Sequence, residues 1–208
     1  DRAYPGTQFP YLSTNLTFAN DAALRGLVVP DGQAPRPNSI AKSTVITVGG
    51  ERIGIIGATT PTLAAISSPG AGVVITPQPF GGTPTPEQLD ALAQVIQTEV
   101  NNLAATGINK IVVMAHMQQL FIERELAKRL SNVDVIIAGG SHTLLADSSD
   151  RLRPGDTAAD IYPLVEQSPT GSVLVLNTAA NYEYVGRLVA EFDDQGRIDV
   201  SKLDPLIN

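Results

Sequence analysis

The most restrictive feature of this sequence is an alternation of short apolar runs with longer amphipathic stretches. Ile53-Gly54-Ile55-Ile56-Gly57 is apolar on both faces, as a strand buried on both sides requires, and Lys110 to Ala115 and Val133 to Ala138 read as two further buried strands. Between the first and second runs, Leu89, Leu92, Ala93, Val95, Ile96, Val100 and Leu103 keep a helical period as far as Thr106. Thr85 stands where an N-cap is needed, Pro86 takes the first helical position, and Gln88 follows three residues after the cap, which together form a capping box. Gly107 is the matching C-terminal stop. A second helix is predicted over residues 120–130. Strand, helix, strand, helix, strand in that order implies parallel pairing and an α/β fold.

The flanking segments add antiparallel structure. Ser43 to Val48 and Arg52 to Gly57 face each other across Gly49-Gly50, a hairpin signal. Residues 9–18 form a short strand running into a loop. Residues 29–39 hold three prolines and are predicted irregular and exposed, and residues 67–86 are rich in Ser, Pro, Gly and Thr and read as loop. Beyond residue 146 the pattern changes. Residues 147–169 are polar and proline-rich, Ser172 to Asn177 is a strand, and Tyr184 to Asp193 and Arg197 to Val200 flank the turn Asp194-Gln195-Gly196. Parallel strands are therefore expected first and antiparallel ones after. Residues 1–202 are expected to form one unit, with 203–208 the start of a linker or tail. The chain opens on Asp1-Arg2-Ala3-Tyr4-Pro5, without a starting Met or a signal peptide, and reads as a chain entered in mid-sequence.

Composition excludes several classes. With no cysteine among 208 residues, disulfides, thiolate metal sites and cysteine nucleophiles are ruled out. A formal net charge of −7 argues against a nucleic-acid surface, which needs a basic patch. No apolar run approaches the length of a membrane span. An anionic ligand would need local help from metal ions or backbone amides. No phosphate-cradling glycine motif or serine elbow is present, and Asn15-Leu16-Thr17 fits a glycosylation sequon of the kind that short sequences produce by chance. Glu123, Arg124, Glu125, Lys128 and Arg129 on the second helix read as a solvated face. The same reading covers Asp150 to Asp156, with its two arginines as weak phosphate candidates.

The chemistry concentrates at two points. There are only two histidines, and each follows a buried strand: His116 after Ile111 to Ala115, and His142 after Val135 to Ser141. Ligands of open α/β sheets bind at the carboxyl ends of strands. Two imidazoles at that rim suit a divalent transition metal, whereas each alone would be read as a hydrogen-bonded loop histidine. Gly139-Gly140-Ser141 is a small-residue turn whose amides could reach a phosphate, although most Gly-Gly pairs are only turns.

Several stretches then carry a resemblance. Phe9-Pro10-Tyr11-Leu12-Ser13-Thr14-Asn15-Leu16, Gly54 to Pro61, Lys110 to Met117, Val133 to Thr143, and Val185 to Leu188 with Glu191-Phe192-Asp193 resemble, in order, segments of the 5′-nucleotidase type of calcineurin-like metallophosphoesterases. Residues 59–70 and 147–156 are most like a bacterial branch known as alkaline phosphatases or nucleotidases. The resemblance implies half of a four-layer α/β/β/α sandwich holding two divalent metal ions, whether zinc, manganese, iron, cobalt or calcium. It implies His116 and His142 as metal ligands and Gly139, Gly140 and Ser141 as phosphate-binding. The first three metal motifs of that family, and its catalytic residues, would lie upstream of residue 1. One motif departs from the pattern: where the family has Gly-His-Ser-His, this chain has Gly139-Gly140-Ser141-His142, so the ion served by His116 would lack an imidazole.

The expected function is accordingly part of a metal-dependent phosphomonoesterase, inactive alone, acting on a phosphate ester or nucleotide together with the N-terminal half of the same domain. By resemblance its location is periplasmic or extracellular. The alternative is a degenerate, non-catalytic domain of the same fold with a binding or structural role, which the Gly140 substitution favours.

Overall fold

The computed structural model describes residues 4–203. In chain order these form β1 (Pro10–Leu12), β2 (Leu16–Thr17), β3 (Ser39–Ala41), β4 (Ser43–Val48), β5 (Glu51–Thr59), α1 (Leu63–Ile66), β6 (Val74–Ile75), α2 (Pro86–Ala104), β7 (Ile111–His116), α3 (Leu120–Arg129), β8 (Val135–Gly139), β9 (Leu164–Ser168) and β10 (Gly171–Leu176). Six strands make one sheet in the order β4-β5-β7-β8-β10-β9. Its four central strands are parallel, and each edge strand runs antiparallel to its neighbour. The mixed α/β class expected from the sequence is the observed one.

Local chemistry explains the elements. The hairpin β4–β5 turns through Gly49 and Gly50, both with positive φ (58° and 89°), the geometry of a two-residue primed turn. In α2, the Thr85 side chain accepts from the Gln88 backbone while the Gln88 side chain accepts from Thr85 N–H, completing the predicted capping box. Gly107, with φ at 83°, follows the helix end. The apolar stripe of α2 buries Leu89, Leu92, Ile96, Val100 and Leu103, and α3 buries Ile122, Leu126 and Ala127. Each large side chain so buried contributes about 1.5–3 kcal/mol. Both helices pack against this sheet, whose buried faces there include Ile56, Ile111, Val113 and Ile136.

The opposite face is partly covered by the chain ends. Gly57 leaves room for β1: a Cβ on Gly57 would fall 2.1 Å from Leu12 O, so the strand reads Gly because another backbone passes there. Leu188, Ala190 and Phe192 close a 220 Å³ recess over Ile53, Val112 and Val135. Between these two covers Met114 and Ile137, directly paired across β7 and β8, remain 45% and 44% exposed. Asn15, almost fully buried, ties the end of β5 to the loop after β6: its Oδ1 accepts from Thr59 N, and its Nδ2 donates to Thr59 O and Thr76 O.

Four expectations need correction. Residues 147–169 contain the strand β9, which pairs antiparallel with β10 and has alternating burial. Its Glu166 is buried and paired with Arg124, so a polar residue disguised an inward-facing position. Among the described residues the predicted terminal hairpin shrinks to one bridge, Phe192 to Ile198, around the Asp193 to Gly196 turn. Glu123 is not part of a solvated face but fully buried. The irregular reading of 29–39 gives way at its end to β3, where Ser39 is buried. Of the predicted tail, Leu203 packs on the core and residues 204–208 lie outside the described residues.

Candidate functional site

The parallel strands β5, β7, β8 and β10 deliver their carboxyl ends to one rim. Thr59 of β5 pairs with His116 of β7, and His116 pairs with Gly139 of β8. Thr60 N donates to His116 O and Gln118 N to Gly139 O, extending the ladder one step past each strand. This register brings His116 against the Gly139-Gly140 turn. A Cβ built on Gly140 would lie 2.8 Å from both Cδ2 and Nε2 of His116, and one on Gly139 would lie 3.3 Å from Nδ1. The imidazole is exposed and rests on two residues that have no side chains to push it away.

Ser141 faces inward from the same turn. Its Oγ accepts from Asn177 Nδ2 at 2.7 Å and lies 2.9 Å from Thr143 Oγ1, so its hydroxyl is already committed to neighbours. Asn177 is itself buried just beyond β10. His142 comes next, exposed and with left-handed backbone (φ 57°). Left-handed residues other than glycine recur at this rim. Gln118 (φ 72°) follows β7, His142 follows β8, and Ala179, Asn181 and Tyr182 follow β10. An L-residue held there costs about 1–2 kcal/mol, less for Asn, so the turns after three neighbouring strands each store strain.

Beneath the rim lies an acid that the sequence reading had placed on the surface. Glu123, in the first turn of α3, is fully buried. Its Oε1 accepts from Met117 N at 3.0 Å. Burial pushes its carboxyl up to about 7, against the opposing pull of backbone N–H groups that include those of Met117 and Gly139. The signal was present in the sequence: Glu123 lies in the same helical row as Leu126, Ala127 and Leu130, the buried stripe of that helix. Asp134 is a second buried acid, also raised to about 7 by desolvation, but it sits at the other end of the strands and accepts from Ile111 N. Arg153, one of the two arginines read as weak phosphate candidates, is paired with Glu183 at 2.9 Å.

The donor set can be tested against a metal ion. Two exposed imidazoles suit a borderline transition metal. Among the described residues, however, no group of three or more His, Asp or Glu side chains gathers to hold one. A four-coordinate site needs more donors than His116 and His142. This chain therefore fits one edge of a metal site and not a whole one.

A mixed sheet that carries its imidazoles, small-residue turn and strained backbone at the exits of its parallel strands defines an open-sheet α/β protein with its polar groups gathered at the carboxyl rim. Comparison makes the class specific. No family model matches the chain. Over 203 residues it is 28% identical to the 5′-nucleotidase of Mus musculus, covering 96% of this chain and 30% of that protein. The snake venom 5′-nucleotidase of Gloydius brevicauda is 29% identical over 202 residues, covering 96% of this chain and 29% of the relative. Among solved structures, a 5′-nucleotidase precursor from Thermus thermophilus superposes with a TM-score of 0.69 at 32% identity, covering 91% of this chain and 32% of its own. The NAD nucleotidase of Haemophilus influenzae gives 0.72 at 26%, covering 93% and 30%. The chain is similar to 5′-nucleotidases along nearly its whole length, and it spans about 30% of the length of the curated relatives it matches.

Proposed function

We propose that this chain is part of a metal-dependent phosphomonoesterase acting on nucleotides or related phosphate esters, and that His116 and His142 are its contribution to the metal site. The observation that carries this reading is the shared rim. The two histidines of the chain leave adjacent parallel strands, with His116 in register beside Gly139, within a fold of the 5′-nucleotidase type. Two divalent ions, when bound, supply the charge that activates water and stabilises the phosphoryl group in transit. What this chain's residues do is hold the two imidazoles at strand exits, with the His116 ring seated on the Gly139-Gly140 surface and the backbone N–H groups of that turn offered to a small anion. Ser141, being bound to Asn177, would act through its backbone N–H.

Residues 1–202 would make half of one domain, with the other half supplying the remaining ligands and packing on the sheet face around Met114 and Ile137. No helix among the described residues is long and apolar enough to cross a membrane, and a periplasmic or extracellular setting is proposed from the likeness to the snake venom enzyme. The test is phosphate release from a nucleoside monophosphate. The 208-residue chain alone should give none at a useful rate. In the intact protein His116→Ala and His142→Ala should each lower kcat/KM by at least ~100-fold, the scale of losing a group that acts on the transition state. Unchanged kinetics in both variants would overturn the assignment.

One observation favours the second reading, a non-catalytic domain. Gly140 stands where the resembled motif has a histidine, and the His116 ring occupies the space beside its α-carbon. An intact protein that binds nucleotide but releases no phosphate with any divalent metal would establish that reading instead.

A further inference from the structure

We propose that Glu123 is a positioning residue that clamps the exits of β7 and β8 together and so sets the placement of the two histidine-bearing turns; the proposal rests on the reading of His116 and His142 given above.

The ladder between β7 and β8 ends at the pair His116 and Gly139. Met117 N–H lies one residue past that pair and is buried, with Met117 only 1% exposed. A buried N–H without an acceptor is costly, and water does not reach this one. Glu123 supplies the acceptor from the first turn of α3, six residues on in sequence. One residue beyond Met117, Gln118 N donates to Gly139 O at 3.3 Å, which ties the β7 exit to the neighbouring strand. One carboxylate thus fixes the β7 exit, and through Gln118 its tie to β8, from a helix that packs on β8 and β10.

The choice of an acid here is informative. Glu123 is fully buried, and its Oε2 has no hydrogen-bond partner among the described residues. A leucine or methionine would fill the space without the cost of burying a carboxyl. An acid at this place is explained by what it holds. Immediately above Met117 is His116, and immediately beyond Gly139 is Gly140, against which the His116 ring rests. Release of the clamp lets the two turns separate, and the imidazole loses its seat. Groups that orient metal ligands from behind typically change metal affinity 10- to 100-fold when removed.

The experiment uses the 208-residue chain. Glu123→Met keeps the bulk and removes the acceptor; Glu123→Gln keeps an amide oxygen to accept from Met117. Glu99→Ala removes another buried acid, on α2, and serves as control for general destabilisation. Amide hydrogen exchange should quicken at Met117, Gln118, Gly139 and Gly140 in Glu123→Met at least tenfold more than at Val113 and Ile136. In Glu99→Ala the ratio should stay at the wild-type value, and Glu123→Gln should stay within threefold of wild type. Should Glu123→Met fail to fold, Glu123→Asp, whose carboxylate is one carbon short, carries the same expectation. Uniform quickening in the Glu123 variants would overturn the clamp. Co²⁺ titration of the intact protein, followed by visible absorption, reads the second half: binding lost in His116→Ala, and weakened 10- to 100-fold in Glu123→Met with stoichiometry unchanged. Local loosening with unaltered Co²⁺ affinity would overturn the positioning role. If the intact wild-type protein binds no Co²⁺, the metal reading falls, while the exchange measurement still decides the clamp.

Discussion

Putting a side chain at Gly140 tests whether the geometry of the rim has been understood. Gly140 has φ at 87°, a conformation that an L-residue enters at a cost of about 1–2 kcal/mol. A Cβ there would also stand 2.8 Å from Cδ2 and Nε2 of His116 and 3.0 Å from Gln118 Cδ. These are the outer ends of side chains and can swing away, so the collision adds little to the backbone cost. Gly140→Ala should therefore destabilise by roughly 1–2 kcal/mol, which lowers Tm by about 2–8 °C for a chain of this size. The same change should displace the His116 ring, visible as a shift of its Cε1–H resonance, while His142 moves little. A naïve expectation is that Gly140→His would complete the motif and tighten metal binding. The structure instead places the new side chain where His116 already sits, so a gain in affinity requires both rings to rearrange. Thermal denaturation followed by circular dichroism, with the histidine resonances recorded on the same samples, settles the point. A Gly140→Ala chain that melts within 1 °C of wild type with an unmoved His116 signal would refute the reasoning.

Other outcomes follow from the same structure. Asp134 is held near 7 in the fold against 3.8 for the free group, so the unfolded chain ionises first. The stability it contributes is full at about pH 4 and lost as pH rises toward 7, by up to about 4 kcal/mol, and Asp134→Asn should remove that slope from urea titrations run between pH 4.5 and 8. Gly57→Ala forces a Cβ into the Leu12 backbone, where no rotamer can yield, and should cost about 1–3 kcal/mol or more in urea midpoint; a midpoint within error of wild type would mean that β1 does not pack there. Thr85→Ala opens the capping box of α2 and should cost about 1 kcal/mol by the same assay, with Thr85→Ser near wild type.

What was legible in the sequence was whatever depends on local pattern. The capping box, the Gly49-Gly50 turn and the positions of β5, β7 and β8 rest on residue type and spacing within a few positions, and the structure reproduces them, although β7 and β8, read as buried strands, each keep an exposed face at Met114 and Ile137. Strand exits at His116 and near His142 follow from the same periodicity. Illegible were features whose cause is a distant partner. β9 hid because Glu166 looks exposed until Arg124, 42 residues away, is seen to meet it. Glu123 hid because a charged residue on a helix is ordinarily solvated, and only the buried Met117 N–H from which it accepts explains its burial. The final hairpin reads longer than it is: Tyr184 to Asp193 has strand-like composition, whereas the bridge within it joins Phe192 to Ile198, with Asp199 N donating to Glu191 O.

The bonding of Asn15 has a consequence for how such a chain is made. Both protons of its amide are spent on Thr59 O and Thr76 O inside the protein, so no sugar can be attached once folding is complete. A transferase that reads Asn15-Leu16-Thr17 must act on the nascent polypeptide, and the glycan would then take a proton that the join between β5 and the loop after β6 requires. In a host that glycosylates secreted proteins, the two events compete in time. Each molecule emerges either folded and unmodified or sugar-bearing and unable to close that join, and the ratio between them becomes a clock for how soon residues 15, 59 and 76 meet.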